Sequence, residues 1–383
     1  MRVLIAPDSF KGSLDPLAVA DALRLGWQRA RPMDEIRLIP LADGGEGTLE
    51  AIKKSDADWA EMPAHARDPL GNTIRATFLR RGDEAIVELA TASGLALVPA
   101  AERDPMAAST FGTGLVLAAA VGLGVRRIVL GLGGSATTDG GSGLLVALGA
   151  RFVDERGDEL PLGGGPLRQL ARADLSEIAP VLGEVALTVA SDVTNPLLGE
   201  RGAAAVYGPQ KGASKEQVRE LEAALANYAD VLEAVTGRGI RAVPGAGAAG
   251  GTTAGLLAIA DRFASFEIRP GVEVLMELTG FDAALADCDL VLTGEGRVDE
   301  QTGFGKTAAG VARRAHDARK ECIAFCGGAT PEGIAALAAL GALTVPTVEQ
   351  PITTDEAIAL GAAPIVRAAE RAARILSLAE PRH

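Results

Sequence analysis

Short apolar runs that end in polar, glycine-bearing turns and lead directly into helical patterns occur at both ends of this chain. That rhythm restricts it to a layered α/β fold. Arg2–Ala6 (RVLIA) reads as a strand buried on both faces of a parallel sheet. The turn PDSFKGSL follows, then Asp15 as N-cap with Pro16 at the first helical position. Val19, Leu23 and Trp27, spaced i, i+4, i+8, give that helix its apolar stripe. Ile36–Leu41 repeats the pattern, with the turn ADGGEGT and a helix from about Thr48. The rhythm resumes with strands Asp289–Thr293, Cys322–Cys326 and Ala342–Val345. Their helices are expected over Thr307–Ala318, from Pro331, and over Asp355–Leu378. Five parallel-type strands are the number of a flavodoxin-like sheet. The expectation is a discontinuous, doubly wound α/β domain of residues 1–58 and 284–383.

Residues 59–283 are then expected to form a second, mixed α/β domain inserted into the first. Asn72–Leu79 and Glu84–Leu89 alternate apolar and polar residues, as half-buried antiparallel strands do. An Ala/Gly-rich helix is expected over Ser109–Gly124, strands over Arg127–Leu132 and Val185–Ala190, and helices over Lys215–Val235 and Ala254–Ala260.

Composition excludes several classes of partner. A net charge of −13 and an aromatic content of 3% argue against a nucleic-acid surface or an anionic membrane face. Cys288, Cys322 and Cys326 offer neither a CxxC pair nor a disulfide framework and read as core residues. MRVLIAPDSF has no long apolar leader, and no stretch approaches about 18 uninterrupted apolar residues, so a cytoplasmic protein is expected. The three histidines, His65, His316 and His383, have no hydrolase-like pattern around them.

Polar turns remain as the carriers of chemistry. Asp8, Ser9 and Lys11 follow the first strand, where open α/β sheets bind ligands. Asp43 ends the next, with glycines that let a backbone approach a ligand and an acid suited to Mg²⁺ or a hydroxyl. The most loaded stretch is Gly131–Gly143 (GLGGSATTDGGSG), a strand, glycine turn and helix start of the kind that cradles phosphate at a helix N-terminus. Gly133 and Gly134 supply backbone, Ser135, Thr137 and Thr138 hydroxyls, and Asp139 a candidate metal ligand. Its start also resembles the phosphate loop of the galactokinase–homoserine kinase superfamily. Asp192 and Asn195 follow another buried strand, with Asp192 a candidate general base. Lys211 is a further lysine in a turn (GPQKGA). Thr293–Thr307 (TGEGRVDEQTGFGKT) lacks the first glycine of a Walker A motif, because Glu300 stands there. Gly294, Glu295, Gly296, Arg297, Asp299 and Lys306 can still meet anionic oxygens or a divalent ion.

Taken together, APDSFKGSL, PLADGGEGT, the GTG of Gly112–Gly114, GLGGSATTDGGSG, DVTNPL, GPQKGA, PGAGAAGG and TGEGRVDEQTGFGK resemble the type I glycerate kinase family, in that family's order. The resemblance implies transfer of the ATP γ-phosphoryl group to D-glycerate, mainly giving 2-phosphoglycerate, with Mg²⁺. It also implies a site in the cleft between the two domains. There we expect Asp192, or else Asp43, as the proton acceptor, with Lys11 and Arg297 offsetting substrate or phosphoryl charge. Asp8, Ser9 and Asn195 contact substrate. The loops Gly133–Asp139 and Gly294–Lys306 hold nucleotide, with Asp8 and Asp139 toward the ion. A kinase of another small hydroxy acid or sugar acid, or a non-catalytic metabolite- or nucleotide-binding protein, are the alternatives. No nucleic-acid or membrane partner is expected, and a homo-oligomer is possible.

Overall fold

The computed structural model describes residues 1–10, 12–41, 47–299 and 307–379. Strands are numbered along the chain: β1 Arg2–Ile5, β2 Glu35–Leu38, β3 Ala60–Arg67, β4 Thr73–Arg81, β5 Glu84–Glu88, β6 Arg127–Gly131 and β7 Arg151–Val153. There follow β8 Arg172–Asp174, β9 Ala186–Ala190, β10 Ser265–Arg269, β11 Leu290–Val298, β12 Glu321–Ala329 and β13 Ala342–Pro346. The chain divides into two compact units. Unit 1 holds Met1–Asp43, Glu50–Ala57 and Pro270–His383, and unit 2 holds Gly44–Leu49 and Asp58–Arg269. Sequence places the return to the first unit at 284, whereas the structure groups the helices Gly271–Leu278 and Phe281–Asp287 with it. The reason is β10: SFEIR alternates, but it is short and offers only two apolar residues, yet it completes the sheet of unit 2, and Pro270 opens the next helix.

In unit 1 the sheet order is β13-β12-β11-β1-β2, with every pair parallel. In space this is the flavodoxin-like order 2-1-3-4-5. β1 buries Val3, Leu4 and Ile5, and β11 buries Leu290, Val291 and Leu292, as strands covered on both faces must. Helix Pro16–Ala30 starts as its sequence dictates, with the Asp15 carboxylate accepting from the Ala18 N–H at 2.8 Å. Val19, Leu23 and Trp27 are fully buried, and the Trp27 indole N–H donates to Asp34 at 2.9 Å.

The C-terminal stretch expected as one helix is two, Thr354–Ala359 and Ala363–Ala379, because Gly361 lies between them at φ 56°. Helix Ala363–Ala379 lies so close to Pro16–Ala30 that a Cβ on Gly26 would stand 2.1 Å from the Val366 carbonyl oxygen. Gly26→Ala therefore has no room without driving two helices apart. A loss of about 2–3 kcal/mol is expected, read as a lowered urea midpoint, although alanine is the better helix former. An unchanged midpoint would show that this contact is slack.

Unit 2 is built on a six-stranded mixed sheet, β10-β9-β6-β5-β4-β3. β3, β4 and β5 pair antiparallel, and β5, β6, β9 and β10 run parallel. Helix Lys215–Thr236 carries a capping box of Ser214 and Gln217 and ends at Gly237. Leu221, Leu225, Tyr228 and Leu232 line its buried face. Helix Ala248–Ala258 begins earlier than sequence suggests, with three left-handed residues inside it: Ala249, Gly250 and Gly251 at φ 52°, 69° and 90°. β7 and β8 form a separate two-stranded ribbon. All three cysteines are buried and free. No described helix is long and apolar enough to cross a membrane.

Candidate functional site

In unit 1 the strand order reverses between β1 and β11, which is where doubly wound sheets hold ligands. Both strands deliver their polar residues to that point. The Asp8 N–H donates to the Gly294 carbonyl at 2.8 Å, keeping the two strand ends joined beyond the sheet. The Asp8 side chain is 6% exposed. One of its oxygens accepts from the Ser9 N–H at 2.6 Å, the other from the Thr307 hydroxyl at 2.7 Å. Thr307 opens the helix Thr307–Asp317, so Asp8 tethers the far end of the loop that follows β11.

Glu295 is also buried. Burial, with the Glu295 charge adding to it, pushes the Cys326 thiol up to about 12, so this sulfur stays protonated and is no nucleophile. Arg297 is 76% exposed in its side chain, with Nε 3.6 Å from Asp299 in a loose ion pair. Asp8, Ser9, Gly294, Glu295, Gly296 and Arg297 are thus gathered at one sheet end. Lys11, Asp43 and Lys306 lie outside the described residues.

In unit 2, β6 and β9 are neighbours in parallel register, Gly131 opposite Ala190, so the turns after them emerge side by side. The turn after β6 is clamped residue by residue. Leu95 N–H donates to the Gly134 carbonyl at 2.7 Å and Ala136 N–H to the Ser93 carbonyl at 2.9 Å. The Lys211 ammonium donates to Ser135 Oγ at 2.9 Å and to the Thr137 carbonyl at 2.5 Å. Among the described residues, the amides of Gly133, Gly134 and Ser135 have no protein acceptor. Gly134 is exposed, whereas Thr137 and Thr138 are fully buried.

Asp139 differs most from expectation. Its carboxylate is fully buried and accepts from the N–H groups of Thr110 (2.8 Å), Gly141 (3.1 Å) and Gly143 (3.2 Å) and from the Thr110 hydroxyl (2.8 Å). Those amides belong to the starts of helices Phe111–Gly122 and Ser142–Ala147, so one side chain caps both. The helix start after the glycine turn therefore receives the chain's own carboxylate where a phosphate was expected. Burial pushes the Asp139 carboxyl above its usual range, against these hydrogen bonds. Each of these partners is a donor, so the geometry is built for the ionised form. Thr110, its main partner, carries no signal in sequence beyond preceding FGTG. The two glycines of GTG are packing devices: a Cβ on Gly112 would lie 1.9 Å from the Arg67 carbonyl oxygen, and one on Gly114 2.6 Å from that of Leu144.

Asp192 stands half-buried just past β9. Asn195 is occupied internally, its Nδ2 donating to the Arg201 carbonyl at 2.8 Å and its Oδ1 accepting from the Tyr207 hydroxyl at 2.9 Å. These bonds order the segment that follows Asp192. Glu88, at the end of β5, is a buried acid that sequence reasoning missed; it accepts from the Leu49 N–H at 2.9 Å. Its only signal was the end of an alternating strand.

Comparison with known proteins bears on the family of the whole chain. The model of the glycerate kinase family matches residues 3–377. A glycerate kinase of Halalkalibacterium halodurans is 47% identical over 328 residues, 85% of each chain. A glycerate 2-kinase of Escherichia coli K12 is 42% identical, over 87% of this chain and 86% of its own. The crystal structure of a Salmonella typhimurium LT2 protein assigned as glycerate kinase 2 superposes with a TM-score of 0.81 at 39% identity, covering 99% and 98% of the two chains. With matches that span nearly the whole sequence and both α/β units, this chain belongs to the glycerate kinase family.

Proposed function

We propose that the protein transfers the γ-phosphoryl group of ATP to a hydroxyl of D-glycerate, mainly giving 2-phosphoglycerate. One observation carries this reading: adjacent strands β6 and β9 bring a clamped glycine turn with unengaged amides and a half-buried carboxylate to the same sheet end. Phosphoryl transfer asks for positioning and charge neutralisation more than for covalent chemistry. The amides of Gly133, Gly134 and Ser135 are the phosphate donors in this reading, and the Asp192 carboxylate accepts the proton of the attacking hydroxyl.

In unit 1, Arg297 presents an exposed guanidinium suited to a carboxylate or a phosphoryl group. Mg²⁺ takes one or two protein carboxylates and completes its shell with phosphate oxygens and water. Asp8 and Glu295, carboxylates at the ends of adjacent strands, fit that donor set, and the ion would neutralise phosphate charge. Asp139, already saturated by donors, is left out of this assignment.

The test is ATP consumption coupled to D-glycerate, L-glycerate and larger sugar acids, with ³¹P NMR of the product. D-glycerate should be the preferred acceptor, and the new resonance should show phosphorus on O2. Turnover with another acid alone would overturn the acceptor, and an O3 product would overturn the regiochemistry. Asp192→Asn should lower kcat by about 10²–10⁴-fold with nucleotide KM retained; near-normal turnover would remove Asp192 as base.

A further inference from the structure

Lys211 is 3% exposed, and among the described residues its ammonium has two protein acceptors, both in the glycine turn after β6. An ammonium carries three donors, so one N–H is left over. Beside it the hydroxyls of Thr137 and Thr138 are buried without a protein partner. A lysine taken out of water to grip a turn whose neighbouring amides stand unengaged is an expensive arrangement for mere packing. We propose that Lys211 is a positioning residue for the nucleotide phosphates. By fixing Ser135 and the Thr137 carbonyl from behind, it holds the amides of Gly133–Ser135 outward and places a positive charge beneath the anion they bind. The inference rests on the reading of this turn as the phosphate loop.

Charge state supports it. Burial pulls the Lys211 ammonium down to about 7, with the Asp139 carboxylate working in the opposite direction. Tyr228, which also feels Asp139, is held neutral, because burial and the Asp139 charge push it well above its ordinary value. The ammonium thus predominates well below pH 7 and is lost as pH rises through about 7 in the free protein. A bound anion restores it, so nucleotide binding above neutrality takes up a proton.

The experiment compares wild type, Lys211→Met and Gly134→Val for ATP affinity, kcat and KM for both substrates between about pH 6 and about pH 9. Lys211→Met should raise the Kd for ATP about tenfold near pH 6 with KM for glycerate unchanged. The wild-type advantage over the variant should shrink as pH rises past about 7, because wild type loses the charge the variant never had. An advantage that stays constant across this range, or an unaltered Kd, overturns the inference. If Lys211→Met melts early, Lys211→Gln carries the test, since it keeps a donor without a titrating charge. It should fall between the two and lose the pH dependence, and wild-type pH dependence in it would overturn the inference. Gly134→Val separates the two levels. If it leaves ATP affinity intact, the phosphate-loop reading fails. If it weakens ATP while Lys211→Met does not, only the role of Lys211 fails.

Discussion

Asp139→Ala is expected to destabilise unit 2 by about 4 kcal/mol, lowering its melting temperature by roughly 10 °C. The substitution leaves the N–H groups of Thr110, Gly141 and Gly143 buried with nothing to accept from them. Each orphaned donor costs on the order of 1–3 kcal/mol, and the starts of two helices lose their cap together. Asp139→Asn is the informative companion. Its carbonyl can keep the Thr110 and Gly143 side of the site, while its NH₂ must face the Gly141 N–H. It should therefore cost about half as much. The measurement is a thermal melt followed by circular dichroism, and the order Ala worse than Asn worse than wild type is the claim. An alanine variant melting like wild type would mean that water or an anion fills the seat at no cost.

Gly250→Ala should be nearly as damaging, although it adds a single methyl group. At φ 69° a Cβ is disfavoured by about 1–2 kcal/mol. In addition that Cβ would stand 1.9 Å from the Thr137 carbonyl oxygen and 2.7 Å from the Thr138 Cα. The backbone there cannot retreat: Gly140 N–H donates to the Gly250 carbonyl at 3.0 Å, and Lys211 holds the same Thr137 carbonyl. Strain and overpacking together predict a loss of about 3–5 kcal/mol. Turnover should fall further than stability explains, since the displaced segment is the glycine turn. Gly237→Ala is the control. It has nearly the same backbone geometry, φ 68°, but no atom within 4 Å, so only the cost of about 1 kcal/mol for the left-handed conformation should remain. Equal urea midpoints for the two variants would show that the close approach of Gly250 is unimportant.

Much of unit 1 is legible in sequence because its central strands β1 and β11 carry apolar runs buried on both faces, while the partly exposed edge strands β2 and β13 still fall into the same strand, turn and helix rhythm. The five expected strands fall on β1, β2, β11, β12 and β13, with the register of a doubly wound sheet. β10 is not legible, since Ser265–Arg269 is half-exposed at a sheet edge and carries two charges in five residues. The site divides along a similar line. Position at a strand end can be read from pattern, and that finds Asp8, Glu295, the glycine turn and Asp192. Which way a side chain points cannot, because it depends on partners far along the chain. Asp139 and Asp192 look equivalent as acids after buried strands. The first is claimed by amides from residues 110, 141 and 143 and disappears into the interior, and the second remains half-exposed. Lys211 is the converse case: a turn lysine that nothing in the sequence sets apart is buried against the loop through a pairing 74 and 76 residues distant.

The split of unit 1 sets an order of assembly. β1 is central in its sheet, flanked by β2 on one side and β11 on the other. During synthesis β1 and β2 leave the ribosome first, yet β11, β12 and β13 are made only after the whole of unit 2. The N-terminal strands must wait as an incomplete, apolar pair while the inserted unit acquires its own sheet and core. Their closing contacts, such as Val3 with Leu290 and Leu4 with Val291, are among the longest-range in the chain. Completion of this sheet is thereby expected late, and until β11 arrives the unpaired edge of β1 is open to pairing with other chains.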